Sequence, residues 1–232
     1  MRIRTRWFNK SRARAPEDLA GVASLLLWRV ARQALARMRS AGFEIETGAP
    51  YFNFLAEWLV FLIQAADRYA FKHFSASERY EFTATLAKKL SGILIDNLDE
   101  LVGVGDEAPD HWKKRFVDLV NRRGGDYAEY SFENGKPEYG FLRPLAHTLA
   151  DQSANDGDRL WVYDQVMEVE APRALEDVKK GVGGLFAARP VDPDSTAERS
   201  AECGEAAVDP VLDDARHHRL KDEGKLESML HD

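Results

Sequence analysis

The stretch Tyr51-Phe52-Asn53-Phe54-Leu55-Ala56-Glu57-Trp58-Leu59-Val60-Phe61-Leu62-Ile63 is apolar apart from Asn53 and Glu57, and Gln64 and Arg68 extend that thin polar seam. Pro50 suits a first helical position, so the helix is predicted to start there and to end in the phenylalanine- and histidine-containing stretch after Tyr69. Its apolar run is about fifteen residues and contains Glu57. A bilayer span needs roughly 20 apolar residues. A helix apolar almost all round requires cover on every side, which predicts the central element of a helical bundle.

Helices are predicted on both flanks. Pro16, Glu17 and Asp18 make a helix start, with acids at the positive end of the dipole. Leu27, Val30, Ala31, Ala34, Leu35 and Met38 then recur at helical spacing, and Arg29, Arg32, Gln33 and Arg37 take the other side. This helix should stop near Ser40, before Gly42. Ser75 and Glu78 have the spacing of a capping box, and Phe82, Leu86, Leu90, Ile93, Leu94 and Leu101 continue it as a third helix, ending at Gly103 and Gly105.

A fourth helix is predicted from Asp110, with Trp112, Phe116, Leu119 and Val120 on one face and a stop at Gly124 and Gly125. Periodicity then fails. Tyr127, Tyr130, Phe132, Tyr139 and Phe141 surround the turn residues Asn134 and Gly135, which predicts a packed aromatic loop in preference to an isolated hairpin. A short helix covers about 142–150, with Pro144 in its first turn. Asp156 or Asp158 caps the last major element, in which Val162, Val166 and Val169 are expected to face the core on a stripe that Leu175, Val178, Val182 and Leu185 resume. Pro172 lies between the two halves and must kink or break the helix, because it lacks the amide donor and clashes with the preceding turn.

The fold expected is therefore all-α: a single irregular bundle of six or seven helices around a central apolar helix at about 51–73. It occupies 16–187, between a flexible basic arm (1–15) and a disordered acidic tail (188–232). Apolar residues are 44% of the 232-residue chain and mean hydropathy is -0.44, which excludes a polytopic membrane protein. A single cysteine excludes a disulfide framework and a multi-thiolate metal site, and it fits a reducing compartment. The arginine-rich start lacks the uninterrupted apolar run of a secretory signal, so a cytoplasmic location is expected. An organellar transit peptide is the weaker reading, given Trp7, Phe8 and few serines.

Charge is segregated within a net of -7. Residues 1–40 hold ten bases against Glu17 and Asp18, and from Ala188 onward six bases face twelve acids. Such asymmetry concerns interactions more than fold. Arg2, Arg4, Arg6, Arg12 and Arg14, continued by Arg29 and Arg32, are a candidate face for a protein partner, for nucleic acid or for an anionic membrane. The aromatic loop, through Tyr127, Tyr130, Phe132 and Tyr139, is a second candidate contact surface. Glu57, Arg68, Asp164 and Glu168 are candidates for an interhelical pocket, since a carboxylate buried without a partner has the raised pKa that acid–base chemistry uses.

Other chemistry is not supported. No phosphate loop, dinucleotide fingerprint, nucleophile elbow or His-Glu-x-x-His is present. His73, His111 and His147 have no glutamate three positions earlier, against a carboxylate-bridged metal pair. The tail residues His217, His218, Asp222 and Glu223 read as solvated charge, and Cys203 has no base beside it. The stretch 96–100 resembles a calcium loop in composition only. No catalytic residue, metal or cofactor is expected. The leading expectation is a non-enzymatic interaction or accessory protein, with an enzyme or small-ligand binder as the alternative and phosphate or membrane binding through residues 1–14 as another. Partner identity and self-association stay open. Removal of residues 189–232 is expected to leave the melting temperature nearly unchanged in a calorimetric scan; a large drop would make the tail part of the fold.

Overall fold

The computed structural model describes residues 14–102, 109–133, 136–153 and 156–186. Residues 1–13 of the arm, the acidic tail, Gly103 and Gly105, and Asn134 and Gly135 lie outside them. The described elements are α1 (Pro16–Ser40), α2 (Ala49–Ala70), α3 (Ala76–Val102), α4 (Pro109–Ala128), α5 (Arg143–Asp151), α6 (Arg159–Gln165) and α7 (Ala171–Phe186). A π-helical turn, Val166–Glu170, joins α6 and α7 into one rod, so six helical bodies pack together. The protein is an all-α bundle.

Helix α2 is the hub. It touches α1, α3, α4, α5 and α7, and Phe54, Trp58 and Phe61 are fully buried along it. Each such side chain contributes roughly 1.5–3 kcal/mol by leaving water. The most extensive single pairing is α1 with α3. On α1, Ala20, Ala23, Ala31 and Ala34 are buried among Leu19, Leu27, Val30, Leu35 and Met38. Short side chains there let a neighbouring helix approach closely. By length and composition α1 also passes for a membrane span, with mean hydropathy 1.2 over 18 residues, half of that window being buried inside the bundle.

The helix ends follow local chemistry. At the end of α1 the Phe43 amide donates to the Met38 carbonyl (2.9 Å) and the Gly42 amide to that of Arg39 (3.1 Å), a Schellman closure. Gly42 adopts φ +102°, which a side chain would resist. Phe43 is thereby turned into the core, its ring 5.0 Å from that of Phe54. At the start of α3 the Glu78 amide donates to Ser75 Oγ (3.4 Å) and the Ser75 amide to Glu78 Oε2 (3.1 Å), the predicted capping box.

Two expectations need correction. Helix α4 does not stop at Gly124 and Gly125 but runs through them to Ala128. Glycine costs about 1 kcal/mol in a helix, and here tertiary contacts outweigh it: Arg123 is tied to α2 and the Tyr127 ring is buried. Second, the aromatic segment is not wholly irregular. Strands β1 (Phe132–Glu133) and β2 (Lys136–Pro137) form a two-residue antiparallel ladder, Phe132 opposite Pro137. Tyr130 and Phe132 nevertheless pack against the core, as a packed loop would.

Pro172 has the predicted disruptive effect in a milder form. The turn before it widens, so that the Ala171 amide donates to the Val166 carbonyl five residues back, and the rod continues. The inserted residue shifts the helical phase, so Val169, expected to face the core, is 44% exposed, and Glu170 turns inward, only 1% exposed, where Arg37 Nε on α1 donates to its carboxylate at 2.8 Å. Trp58→Ala is expected to destabilise the protein by about 3–5 kcal/mol in denaturant unfolding; unchanged stability would remove α2 from the centre of the fold.

Candidate functional site

Glu57 lies on α2 where the helix is otherwise apolar, and it is buried. It is not left unpaired. Arg123 of α4 donates from Nη2 to Glu57 Oε1 (3.0 Å) and from Nε to Oε2 (3.2 Å), a two-pronged bond that occupies both carboxylate oxygens. Arg123 also reaches Asp126 at 3.3 Å. Burial alone would lower the Arg123 pKa; hydrogen bonding and charge from Glu57, with Asp126 adding to them, raise it instead. The pair therefore ties α2 to α4 through both carboxylate oxygens.

Glu57 does line a cleft of about 360 Å³. Its walls come from Phe52, Asn53 and Ala56 of α2 and from Leu94, Ile95 and Leu98 of α3. The α4 side supplies Trp112, Arg115, Phe116, Leu119 and Arg122, and Gln152 closes one end beyond α5. Two polar atoms of these residues, Trp112 Nε1 and Gln152 Oε1, are buried with no hydrogen-bond partner among the described residues. The Arg115 guanidinium stands over the Trp112 ring, 5.2 Å from its centroid. Arg115 and Arg122 are seven residues apart on α4, hence on one side of it, and both are exposed.

Arg68, Asp164 and Glu168 are not among the residues that line this cleft. Arg68 Nη2 donates to the Tyr127 carbonyl at 3.3 Å, pinning the end of α4. Asp164 and Glu168 are exposed on α6 and the π turn, where Tyr139 Oη donates to Glu168 Oε1 at 2.7 Å. That hydrogen bond is the first cause of a raised Tyr139 pKa. Of the aromatic-loop residues, Tyr127 is buried, with its ring 5.0 Å from Phe141, and Tyr130 and Phe132 are half-buried. Tyr139 alone is largely open, at 54%. The Tyr130 ring lies over Gly140, where a Cβ would come within 2.6 Å of it. Most of these rings thus cover the bundle's end. Burial, and then the nearby charge of Glu57, pushes the Tyr127 hydroxyl well above its ordinary value, and burial lifts Tyr69 to about 12, so both phenols stay protonated.

Of the basic face, Arg29 and Arg32 are exposed on α1, Arg14 is half-buried, and Arg2, Arg4, Arg6 and Arg12 lie outside the described residues. Leu25, 65% exposed, sits one turn before Arg29. Asp18, Leu25, Arg29, Arg32 and Ala36 fall on one outward stripe of the helix. Sequence reasoning missed Arg123, because 66 positions separate it from Glu57. It missed the cleft role of Trp112, Arg115 and Arg122 as well, although their spacing of three and seven on one helix was a readable signal.

Arg123→Ala is expected to cost about 2–3 kcal/mol at neutral pH, below the ~3–5 of a wholly buried pair because Arg123 is partly exposed. Without its counter-ion Glu57 is left as a buried charge with no partner to offset its desolvation. The double variant Glu57→Gln/Arg123→Ala should be more stable than Arg123→Ala alone at neutral pH, as read by urea midpoints; equal midpoints would show that the carboxylate needs no partner.

Compared with protein-family models, with curated proteins and with solved structures, the chain finds no match, which leaves its own surfaces as the guide to function.

Proposed function

We propose that this chain is a non-enzymatic accessory protein that binds a macromolecular partner, an acidic protein surface, through the outward stripe of α1. The observation that carries this reading is Leu25, a large apolar side chain left 65% exposed on a helix whose other leucines are buried or half-buried. One and two turns further along lie Arg29 and Arg32, both exposed. An apolar anchor with a charged rim is the anatomy of a protein contact, in which an anchor supplies affinity and charges steer the approach.

Two further observations support it. The carboxylate with most claim to chemistry, Glu57, has both oxygens bonded to Arg123. Three of the four aromatic-loop candidates are spent on packing, which leaves α1 as the better-equipped surface of those considered. On the described part of α1, one exposed leucine is little apolar area for a bilayer, and Arg29 and Arg32 are few guanidiniums for a phosphate backbone.

The test compares the full chain with Leu25→Asp and with Arg29→Glu/Arg32→Glu. Both sites are on the surface, so folding should be retained. Affinity purification from the native cell, quantified protein by protein, should recover a defined partner that each variant loses by about tenfold or more. Titration against anionic vesicles and against RNA over a salt series should show no steep dependence. Equal recovery by all three proteins would overturn the reading, as would steep salt-dependent binding to vesicles or RNA that both variants abolish.

A further inference from the structure

We infer that the cleft between α2, α3 and α4 is a binding site for a small amphiphilic carboxylate, its apolar body between the helices and its charged end at Arg115 and Arg122. The inference does not depend on the α1 surface, which belongs to another helix.

Size comes first. A cavity of about 150 Å³ holds one benzene, so 360 Å³ has room for a body of roughly a dozen carbon atoms, and it falls in the range of small-ligand sites. The wall is apolar where a ligand body would lie: Phe52, Leu94, Leu98 and Phe116 are buried side chains that all line it. The polar groups come from Asn53 and Glu57 of α2, from Trp112, Arg115 and Arg122 of α4, and from Gln152, and the cationic ones all belong to α4.

Charge comes next. Three guanidinium-bearing residues stand close together at positions 115, 122 and 123 of α4, and only Arg123 is spent on the acid that lines the cleft. Arg115 and Arg122 form no ion pair among the described residues. Glu57, the one acid in the lining among the described residues, is neutralised by its two bonds to Arg123 and so does not repel an incoming anion. Trp112 has an indole N–H that is buried and without a hydrogen-bond partner among the described residues, and the Arg115 guanidinium stands over its ring. A carboxylate is an acceptor only. It would take a neutral hydrogen bond from Trp112 and charge-assisted ones from Arg115 and Arg122. An amine would meet guanidiniums and an alcohol would use little of the charge, so the site selects an anion.

The test uses decanoate, below its micellar concentration, against the full chain by titration calorimetry, with decanol and decylamine as charge controls. Decanoate should bind saturably at one per chain, and both controls at least about tenfold more weakly, a difference of about 1.4 kcal/mol. Arg115→Gln/Arg122→Gln, at exposed positions, should erase that preference while the melting temperature is kept. Trp112→Phe, which keeps the wall and removes the N–H, should weaken decanoate more than decanol. Leu119→Trp, which fills the cleft, should abolish binding; if it fails to fold, the arginine pair carries the test. Absence of saturable binding, equal binding of decanoate and decanol, or binding indifferent to the arginine and tryptophan variants would each overturn the assignment.

Discussion

Two carboxylates, Glu57 and Asp67, are buried on a helix most of whose residues are hidden from water, and each of them has to meet a cation where it stands. Glu57 is met by Arg123 of α4, and Asp67 by Arg79 of α3, whose Nε donates at 2.8 Å, with Thr83 Oγ1 completing the set at 2.8 Å. A third pair follows the same logic at the other side of the bundle, where Glu170 meets Arg37. A buried ion pair adds little net stability over an apolar replacement, but an unpaired buried charge costs several kcal/mol. Packing α3 or α4 against the hub, or the α6–α7 rod against α1, in another register would strand one of these acids. Apolar burial makes the bundle collapse; the three acid–arginine pairs decide which helix lies where.

The same constraint shapes the surface. Because Arg123 is drawn inward, α4 runs straight through two glycines and carries Tyr127 into the core, while Arg115 and Arg122 stay at the rim of the cleft. The contrast between two tryptophans is informative. Trp58 and Trp112 both bury an indole N–H with no hydrogen-bond partner among the described residues, yet Trp58 is enclosed in the core and Trp112 lines the cleft. For Trp58 the missing partner is a cost of filling the centre with a large ring.

Much of the fold was readable because its signals are local. Pro16 with Glu17 and Asp18, Gly42 after Ser40, and Ser75 with Glu78 each act within one turn of the chain, and all three mark helix ends as read. The centrality of α2 was readable for a related reason: apolarity on every side is a property of the segment itself and demands cover whatever the cover is. Where local and tertiary preferences conflict, reading failed. The glycines at 124 and 125 favour a stop, and contacts made on either side of them override it. Pro172 announced a disruption, but only the packed rod shows that the chain absorbs it as a π turn with Glu170 turned inward.

Sequence by itself determined that this chain is helical, where most helices begin and end, and which of them lies at the centre, since hydrogen bonding within a turn and apolar periodicity are written along the chain. Tertiary structure alone decided that Glu57 is paired with Arg123, that Tyr127 is buried and Tyr130 half-buried, and that Trp112, Arg115 and Arg122 share one cleft. The physical reason is distance. Charge pairing and cleft formation depend on groups separated by tens of residues in sequence and a few ångströms in space, and no local preference records that proximity.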